Sequence, residues 1–215
     1  MAFVPPPIPA WREPFLLHCH VKRYGKQVAF IRQGEPAESL YYLIEGSVSA
    51  LIEDEEQREI VLAYINKGEF IGEMGLFLPQ PTRSVIVRTR EPCQVAEISY
   101  KRLSYLLDNE LKDHAKEILF AIGRQISQRM RKTIYKVGHL AFLDVTGRIS
   151  RALLDLCTEP DAMTHPDGMQ IRITRQEIGR IVGCSREMAG RVLKVLEEQG
   201  LIEVHGKTIV VYGTR

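Results

Sequence analysis

The segment Thr174–Lys194 reads TRQEIGRIVGCSREMAGRVLK and contains two helix starts separated by a glycine turn. Thr174 followed by Glu177 matches the capping box S/T-x-x-E, in which each side chain bonds the other residue's backbone N–H. Gly183 marks a tight turn, and Ser185 is a residue type that caps a following helix. Helix, short glycine turn and second helix together predict a helix-turn-helix.

The second of these helices is predicted to have an apolar face and a charged face. Its apolar stripe would comprise Met188, Ala189, Val192, Leu193 and Leu196. Its other face would carry Arg186, Glu187, Gly190, Arg191 and Lys194. Arginine can donate two hydrogen bonds to guanine, and glutamate can accept one from cytosine N4. These groups near the helix start suit major-groove docking, so DNA binding is favoured over an ordinary solvated helix face.

Two short β-type runs follow this segment, Leu201–Val204 and Thr208–Tyr212, and predict a closing hairpin, or wing. Net charge is only +2, but positive residues are concentrated in this part of the chain. They are Arg172, Arg175, Arg180, Arg186, Arg191 and Lys194. A local basic segment in a near-neutral chain is typical of a nucleic-acid surface.

Length and composition exclude several protein classes. The chain has 215 residues, of which 45% are hydrophobic and 26% charged, as expected for one large or two small globular domains. Its apolar runs are too short for a membrane span, and Met1–Pro14 does not resemble a signal peptide. Four separated cysteines indicate neither a metal site nor a disulfide scaffold. We therefore expect a cytoplasmic protein that contacts no membrane and holds no metal.

The N-terminal half is predicted to be a β-structure. Short apolar runs separated by glycine or proline indicate a sandwich, jelly roll or barrel. The predicted strands are Val28–Ile31, Leu40–Ile44, Val48–Ile52, Ile60–Ile65, Ser84–Arg88 and Gln94–Ile98. Residues 1–14 are rich in proline and are expected to be loosely ordered.

A long helix is predicted over Asp113–Val137, which contains no proline. Its seam repeats at alternating steps of four and three residues: Leu119, Gly123, Ile126, Met130, Thr133, Val137 and Leu140. Such a heptad seam favours a two-helix dimer contact over a helix packed only on its own core. Thr133 is the polar member, and a bound ligand could supply the partner that a buried hydroxyl needs.

The segment Phe70–Phe77, FIGEMGLF, followed by Arg83-Ser84, predicts an anion site. Gly72 and Gly75 would let backbone N–H groups approach an anion closely. Arg83 offers a guanidinium fork for phosphate oxygens, and Ser84 offers another donor. Glu73 could accept from a ribose hydroxyl. The pattern suits a nucleotide with one buried phosphate; the alternative is a glycine turn with a surface Arg–Glu pair.

Over Leu17–Arg215 the chain resembles the cyclic-AMP receptor (catabolite gene activator) family of bacterial transcription regulators. The resemblance is carried by HCHVKRY, FIGEMGLF, TRSVIVR, AEISYKRL, KVGHLAFLDVTGR, PDAMTHPDGMQI, TRQEIGRIVGCSREMAGRVLK and HGKTIVVYGTR. It implies an α+β fold and a regulator that is not an enzyme. Residues 1–138 would form a β-roll (jelly roll) with a long dimerisation helix. Residues 139–144 would be a hinge, and residues 145–215 a winged helix-turn-helix.

The resemblance also implies site residues. Those for the cyclic nucleotide are Gly72, Glu73, Arg83, Ser84, Arg129 and Thr133, with Thr133 at the adenine. Those for DNA bases are Arg186, Glu187 and Arg191, on palindromes with TGTGA-type half-sites. Those for RNA polymerase are Ala162, Thr164, His165 and Gly168 in one loop, His20, Lys22 and Arg102 in a basic patch, and Asp54, Glu55 and Glu56 in an acidic one.

Two departures bear on the ligand. Ile134 stands where the receptor supplies a serine from the partner subunit, which removes one adenine hydrogen bond, about 0.5–1.5 kcal/mol. Met74 replaces the usual leucine, and EMGLF also resembles relatives that respond to cyclic di-GMP. Those relatives tend to lose the serine that follows the arginine, whereas this chain keeps Arg83-Ser84. We therefore expect a homodimer that binds cyclic AMP, double-stranded DNA and RNA polymerase.

The open alternatives are the same architecture with cyclic di-GMP, or no nucleotide, as its signal, and a jelly-roll metalloprotein. The metalloprotein alternative is prompted by His18-Cys-His20. The next histidine, His114, falls in the predicted long helix rather than in the roll, so the sequence argues against a metal site.

Overall fold

The computed structural model describes residues 8–78 and 82–214. The chain forms two compact units. One comprises the residues through Leu51 together with Ala63–Arg131, and the other comprises Ile52–Leu62 together with Lys132–Arg215. Within the described part of the chain, every helix is too short or too polar to cross a lipid bilayer.

The N-terminal half of the chain forms two four-stranded sheets, which confirms the β-roll. The strands are β1 (His20–Tyr24), β2 (Ala29–Ile31), β3 (Ser39–Glu45), β4 (Ser47–Glu53), β5 (Glu59–Asn66), β6 (Phe70–Ile71), β7 (Ile86–Thr89) and β8 (Cys93–Ser99). Their orders are β1-β8-β3-β6 and β2-β7-β4-β5. The six predicted strands correspond to β2–β5, β7 and β8. The sequence analysis did not predict β1 or β6.

Aromatic packing corrects the expectation for the N-terminal segment. Helix α1 (Arg12–Leu16) places Phe15 in the core, and the preceding Trp11 is only 5% exposed. The Trp11 ring stacks on Phe70 with centroids 5.6 Å apart, and Tyr42 lies 5.8 Å from it. The prediction that the N-terminal segment is loosely ordered is therefore wrong for residues 11–14. Residues 1–7 lie outside the described part of the chain.

Three helices follow the described sheet strands or lie between them along the chain. They are α2 (Met74–Phe77), α3 (Tyr100–Asp108) and α4 (Ala115–Phe142). Helix α4 buries Ile118, Ile122 and Gln125. The Gln125 amide accepts from the Phe70 N–H at 2.7 Å and donates to the Phe70 carbonyl at 2.6 Å. This pair of bonds fixes α4 beside the start of the predicted nucleotide segment.

Helix α4 confirms the predicted long helix and continues beyond it. Its last turn includes His139–Phe142, the first residues of the proposed hinge. Asp144 then caps the next helix by accepting from the Gly147 N–H at 2.7 Å. The proposed hinge therefore contains the end of one helix and the cap of the next.

The seam of α4 is strongly exposed in the single chain. Exposed fractions are 39% for Leu119, 64% for Met130, 59% for Val137 and 52% for Leu140. Only Ile126 packs partly against the core of its own unit. Most of the seam is thus not explained by packing within the chain.

The second unit contains the predicted helix-turn-helix and wing. Its elements are α5 (Val145–Leu156), β9 (Met163–His165), β10 (Gly168–Arg172), α6 (Arg175–Val182), α7 (Arg186–Glu198), β11 (Ile202–His205) and β12 (Thr208–Tyr212). The strands form one antiparallel sheet in the order β11-β12-β10-β9. Strands β9 and β10 pair as an antiparallel hairpin that precedes α6.

Local hydrogen bonds in α6 and α7 confirm the sequence signals. Thr174 Oγ1 accepts from the Glu177 N–H at 3.1 Å, and a Glu177 carboxylate oxygen accepts from the Thr174 N–H at 3.0 Å. Gly183 has φ of 73°, a left-handed conformation that favours glycine. Ser185 caps α7 through the Met188 N–H. Of the predicted apolar stripe of α7, Met188 is 37% exposed and the other four members are buried.

Candidate nucleotide site and DNA interface

The glycine turn at Gly72 is built around the Arg83 side chain. Gly72 has φ of +83°, and a Cβ there would lie 2.5 Å from Arg83 Nη1 and 3.1 Å from the Ser39 carbonyl oxygen. Any side chain at this position would therefore displace the arginine or the β3 backbone. Glycine is required both for the backbone conformation and for the close approach of Arg83.

Arg83 is a buried cation, with only 8% of its surface exposed. One Nη donates to the Ser39 carbonyl at 2.6 Å, and the other donates to the Tyr100 hydroxyl at 3.0 Å. The rings of Tyr41 and Tyr100 lie 5.5 and 5.9 Å from its Cζ. Among the described residues, no carboxylate forms an ion pair with Arg83. Since an unpaired buried charge is unfavourable, the site favours an anionic ligand.

Glu73, by contrast, already has a cationic partner. It is 7% exposed, and Arg129 of α4 contacts its carboxylate at 2.8 Å. Arg129 also contacts Glu69 at 3.1 Å and donates to the Phe70 carbonyl at 2.8 Å. This pairing neutralises Glu73 beside the anion site while leaving lone pairs that can accept from a hydroxyl.

The structure brings together four of the six predicted nucleotide residues: Gly72, Glu73, Arg83 and Arg129. Ser84 follows Arg83 directly and is exposed, and Thr133 is exposed on α4 one turn after Arg129. Ser39, Tyr100 and Glu69 also belong to this site and were not predicted from the sequence. Only the tyrosine carried a signal, because AEISYKRL was among the motifs of the resemblance.

The exposed face of α7 lines an open cleft of about 570 Å³. Its lining residues are Arg175, Arg186, Glu187, Gly190, Arg191 and Lys194. All four predicted DNA-binding side chains therefore lie on one surface. Arg175, the first residue of α6, also belongs to it and was missed as a site residue, although it was part of the basic segment.

The charges on this surface suit hydrogen bonding to base edges. The Glu187 backbone N–H and the Ser185 side chain hold the pKa of the Glu187 carboxyl below its usual value, so it remains an ionised acceptor. Lys194 lies 3.7 Å from Glu198, and both side chains are exposed. An exposed pair of this kind contributes little energy and can open when a phosphate approaches.

The residues predicted to contact polymerase occupy three surface features. Ala162, Thr164 and His165 lie at or in the β9–β10 hairpin, together with Gly168. Gly168 is buried, and a Cβ there would clash with the Val211 carbonyl oxygen. It is therefore placed to close the packing of the hairpin rather than to contact a partner.

The predicted basic contact residues lie on two elements of the first unit, β1 and α3. His20 and Lys22 are exposed on β1, and Lys22 Nζ pairs with Glu97 of β8 at 2.6 Å. Arg102, in α3, is exposed and lies 3.9 Å from Glu110.

The acidic residues lie in the turn between β4 and β5. Asp54 organises that turn by accepting from the backbone N–H groups of Glu56 and Arg58 at 3.0 and 2.9 Å. Glu55 is exposed between them.

His18-Cys-His20 is the segment whose side chains suggested a metal site. Over residues 8–78 and 82–214, the structure contains no group of three or more His, Cys, Asp or Glu side chains that could hold a metal ion.

Comparison with known proteins supports both parts of this arrangement. The family described as "Cyclic nucleotide-binding domain" matches residues 21–110. The family described as "Bacterial regulatory proteins, crp family" matches residues 171–202. The first match contains the Gly72–Arg83 region, and the second contains the helix-turn-helix.

Three relatives are similar over nearly their full length. The chain is 57% identical to the "cAMP-activated global transcriptional regulator CRP" of Salmonella typhimurium, over 94% of this chain and 93% of that protein. It is 58% identical to the "cAMP-activated global transcriptional regulator Vfr" of Pseudomonas aeruginosa, over 93% and 92%. A solved structure of the "c-di-GMP Responsive Global Regulator CLP" of Xanthomonas campestris is 55% identical, with a TM-score of 0.89, over 94% of this chain and 98% of that one.

Proposed function

Because the chain belongs to the crp family of bacterial regulatory proteins, and is a DNA-binding transcription regulator rather than an enzyme, we propose that cyclic AMP controls it. In this proposal it acts in the cytoplasm as a homodimer, binds palindromic TGTGA-type operators and contacts RNA polymerase. The observation that carries the ligand assignment is Arg83, a buried guanidinium with no carboxylate partner among the described residues.

The residues of the site fit a cyclic nucleotide. Ser39 and Tyr100 use two of the five N–H groups of Arg83, which leaves donors for an anionic phosphate. Gly72 and Ser84 lie at the ends of the same segment and offer backbone and hydroxyl donors. Glu73, neutralised by Arg129, can accept from the ribose hydroxyl. The phosphate of a bound nucleotide would supply the negative charge that pairs with Arg83. The nucleotide would act as a ligand and would undergo no reaction.

Cyclic AMP is favoured over cyclic di-GMP by the sequence of the site. Relatives of nearly equal identity differ in their signal, since two are described as cAMP-activated and one as responsive to c-di-GMP. The chain retains Arg83-Ser84, and Thr133 offers a hydroxyl to the base. Ile134 removes a polar group beside Thr133, so we expect weaker adenine recognition without a change of ligand.

Calorimetric titration of nucleotide-free protein with each nucleotide tests this assignment. The proposal predicts saturable binding of cyclic AMP and much weaker binding of cyclic di-GMP. If the protein bound only cyclic di-GMP tightly, cyclic di-GMP rather than cyclic AMP would be its regulatory ligand. If neither nucleotide binds, the domain has lost its ligand and the proposal fails.

A second copy of the chain is the proposed occupant of the α4 seam. The support is the exposed heptad, with Met130 at 64% and Val137 at 59%, which an apolar partner helix would bury. Sedimentation equilibrium should give a dimer for the wild type. Met130→Asp should shift it toward monomer, whereas Glu117→Asp, outside the seam, should not.

Thr133 is the proposed link between the ligand and the dimer helix. Because ligand can shift a conformational equilibrium only by binding the two states differently, Thr133→Ala should reduce the nucleotide-induced gain in DNA affinity. It should affect dimerisation less. A loss of dimerisation equal to the loss of coupling would contradict this role.

Contact with RNA polymerase rests on the β9 segment, where Thr164 is exposed between the half-buried Ala162 and His165, and on the exposed basic residues His20, Lys22 and Arg102. Both surfaces are accessible in the chain. Transcription in vitro from a single operator should fall when Thr164 or Lys22 is replaced by alanine, while operator affinity stays unchanged. A parallel loss of operator affinity would assign these residues to DNA binding or stability instead.

A further inference from the structure

Tyr100 occupies the point at which the parts of the anion site meet. Its hydroxyl donates to the Gly72 carbonyl, with the oxygens 2.5 Å apart, and accepts from Arg83 Nη1 at 3.0 Å. It therefore joins a residue 28 positions earlier with one 17 positions earlier in the chain. No other side chain in the described residues is shown bonded to both Gly72 and Arg83.

The ring of Tyr100 also determines how closely the segment can pack. A Cβ at Gly75 would lie 2.5 Å from the Tyr100 hydroxyl oxygen and 2.9 Å from two ring carbons. The absence of a side chain at Gly75 thus creates the space that the phenol occupies. Tyr100 therefore contacts both glycines of the site, Gly72 and Gly75, as well as Arg83.

Tyr100 is itself held rigidly. It is the first residue of α3, which Ser99 caps by accepting from the Arg102 N–H at 3.2 Å. Burial raises the pKa of the Tyr100 phenol, so the hydroxyl stays protonated and can donate at neutral pH. The bonds run in one direction, from the guanidinium to the phenol and from the phenol to the Gly72 carbonyl, an arrangement in which each bond strengthens the next.

We propose that Tyr100 is a positioning residue for the phosphate site, whose hydroxyl holds the Gly72 turn and the Arg83 guanidinium in the arrangement that an anionic phosphate requires. This inference rests on the proposed function, since it assigns Tyr100 a role in binding the same cyclic nucleotide. Tyr100 acts through Arg83 and Gly72 and does not itself have to contact the ligand. Pre-organising a donor in this way increases affinity without adding a contact.

The chain provides a matched control in Tyr41. Its ring also lies near Arg83, with 5.5 Å from Cζ to the ring centroid, but its hydroxyl donates to Glu97 at 3.1 Å. Tyr100→Phe and Tyr41→Phe each remove one phenolic oxygen beside the same arginine. Only the first change removes the link to Gly72.

The first experiment measures binding of cyclic AMP and of its two phosphorothioate diastereomers, in which sulfur replaces one or the other exocyclic phosphate oxygen. Tyr100→Phe should weaken cyclic AMP binding about tenfold. It should also reduce the ratio of affinities for the two diastereomers, since that ratio reports how Arg83 is aimed at the two oxygens. Tyr41→Phe should change neither quantity. A role in packing alone would leave the ratio unchanged.

The second experiment needs no nucleotide. Phenylglyoxal modifies accessible guanidinium groups, and peptide mass spectrometry gives its rate at Arg83. Tyr100→Phe should raise that rate, whereas Tyr41→Phe should not, with thermal unfolding showing that both variants remain folded. Unchanged modification of Arg83 in Tyr100→Phe, or equal effects of the two variants, would overturn the proposal. If wild-type protein bound no cyclic AMP while the modification result held, the proposed ligand would fail and the positioning role would stand.

Discussion

The two cationic regions of this molecule use arginine in opposite ways. Arg83 is buried, bonded to a backbone carbonyl and a tyrosine, and surrounded by two aromatic rings. Arg186 and Arg191 are exposed on α7 and line an open cleft. Burial holds the Arg83 guanidinium in one orientation. The exposed side chains of Arg186 and Arg191 can instead adopt different conformations to fit the DNA.

The difference corresponds to the chemistry of the two proposed partners. A cyclic nucleotide presents one phosphate that a closed site can surround, so pre-organisation and low solvent exposure strengthen each interaction. DNA presents a groove with many weak contacts, several of them through water, and its affinity depends on salt. Substitutions should therefore have large, all-or-none effects at the buried site and smaller, separable effects on α7.

The largest effect is expected for Arg83→Leu. Removing the buried cation should reduce cyclic AMP affinity by about 2–5 kcal/mol, since the phosphate loses its charged partner. Nucleotide-dependent operator binding should disappear while the circular dichroism spectrum is retained. Calorimetry and fluorescence anisotropy measure the two quantities.

Arg186→Leu provides the matched control for this substitution. It should weaken operator binding by about 1–3 kcal/mol while leaving nucleotide affinity unchanged. Near wild-type cyclic AMP affinity in Arg83→Leu would show that the phosphate site lies elsewhere.

Gly72→Ala is expected to have the next largest effect. Alanine is strained at φ of +83°, and its Cβ would lie 2.5 Å from Arg83 Nη1. We expect a loss of about 1–3 kcal/mol in the free energy of unfolding, together with weaker nucleotide binding. Gly25→Ala is the control, since nothing lies within 4 Å of a Cβ there. Equal unfolding midpoints for the two variants would contradict the packing described at Gly72.

Arg186→Ala tests base recognition by α7. It should cost about 1–3 kcal/mol on the cognate operator and relax preference at one base pair, because the bidentate contact is specific to a single guanine. A panel of operators with single-base changes measures this directly. If Arg186→Ala and Glu187→Ala both leave sequence discrimination unchanged at every operator position, α7 does not recognise the bases. The wing, formed by β11 and β12, would then have to be tested for base recognition.

The smallest effect is expected for Lys194→Ala. Lys194 is exposed and pairs only loosely with Glu198, so its proposed role is phosphate contact. Affinity should fall by a similar factor on every sequence, and the slope of log affinity against log salt should flatten by about one. A change of sequence preference in this variant would assign Lys194 to base contact.

Sequence reasoning succeeded where the signal is local. The capping box joins Thr174 to Glu177, three residues away, and the α7 cap joins Ser185 to Met188. Such bonds depend on neighbouring residues, so a short motif predicts them. The strands of the β-roll were predicted for the same reason, because their apolar runs end at nearby glycines and prolines.

Sequence reasoning failed where partners are distant or the hydrophobic pattern is absent. Arg83 bonds Ser39 across 44 residues, and Gln125 bonds Phe70 across 55. Strand β1 has four exposed residues of its five, so no alternation marks it. Trp11 is buried although prolines surround it, because its ring packs on Phe70 far along the chain.

We propose that a cyclic nucleotide in the buried Arg83 site controls DNA binding by the exposed surface of α7. The most direct measurement is the anisotropy of a labelled palindromic TGTGA-type operator, with half-sites roughly 34 Å apart, titrated with wild-type protein. Three titrations are compared: without nucleotide, with cyclic AMP and with cyclic di-GMP. We expect that cyclic AMP alone increases operator affinity, and that Arg83→Leu removes this increase. Equal operator affinity in all three titrations, or an increase that cyclic di-GMP alone produces, would contradict it.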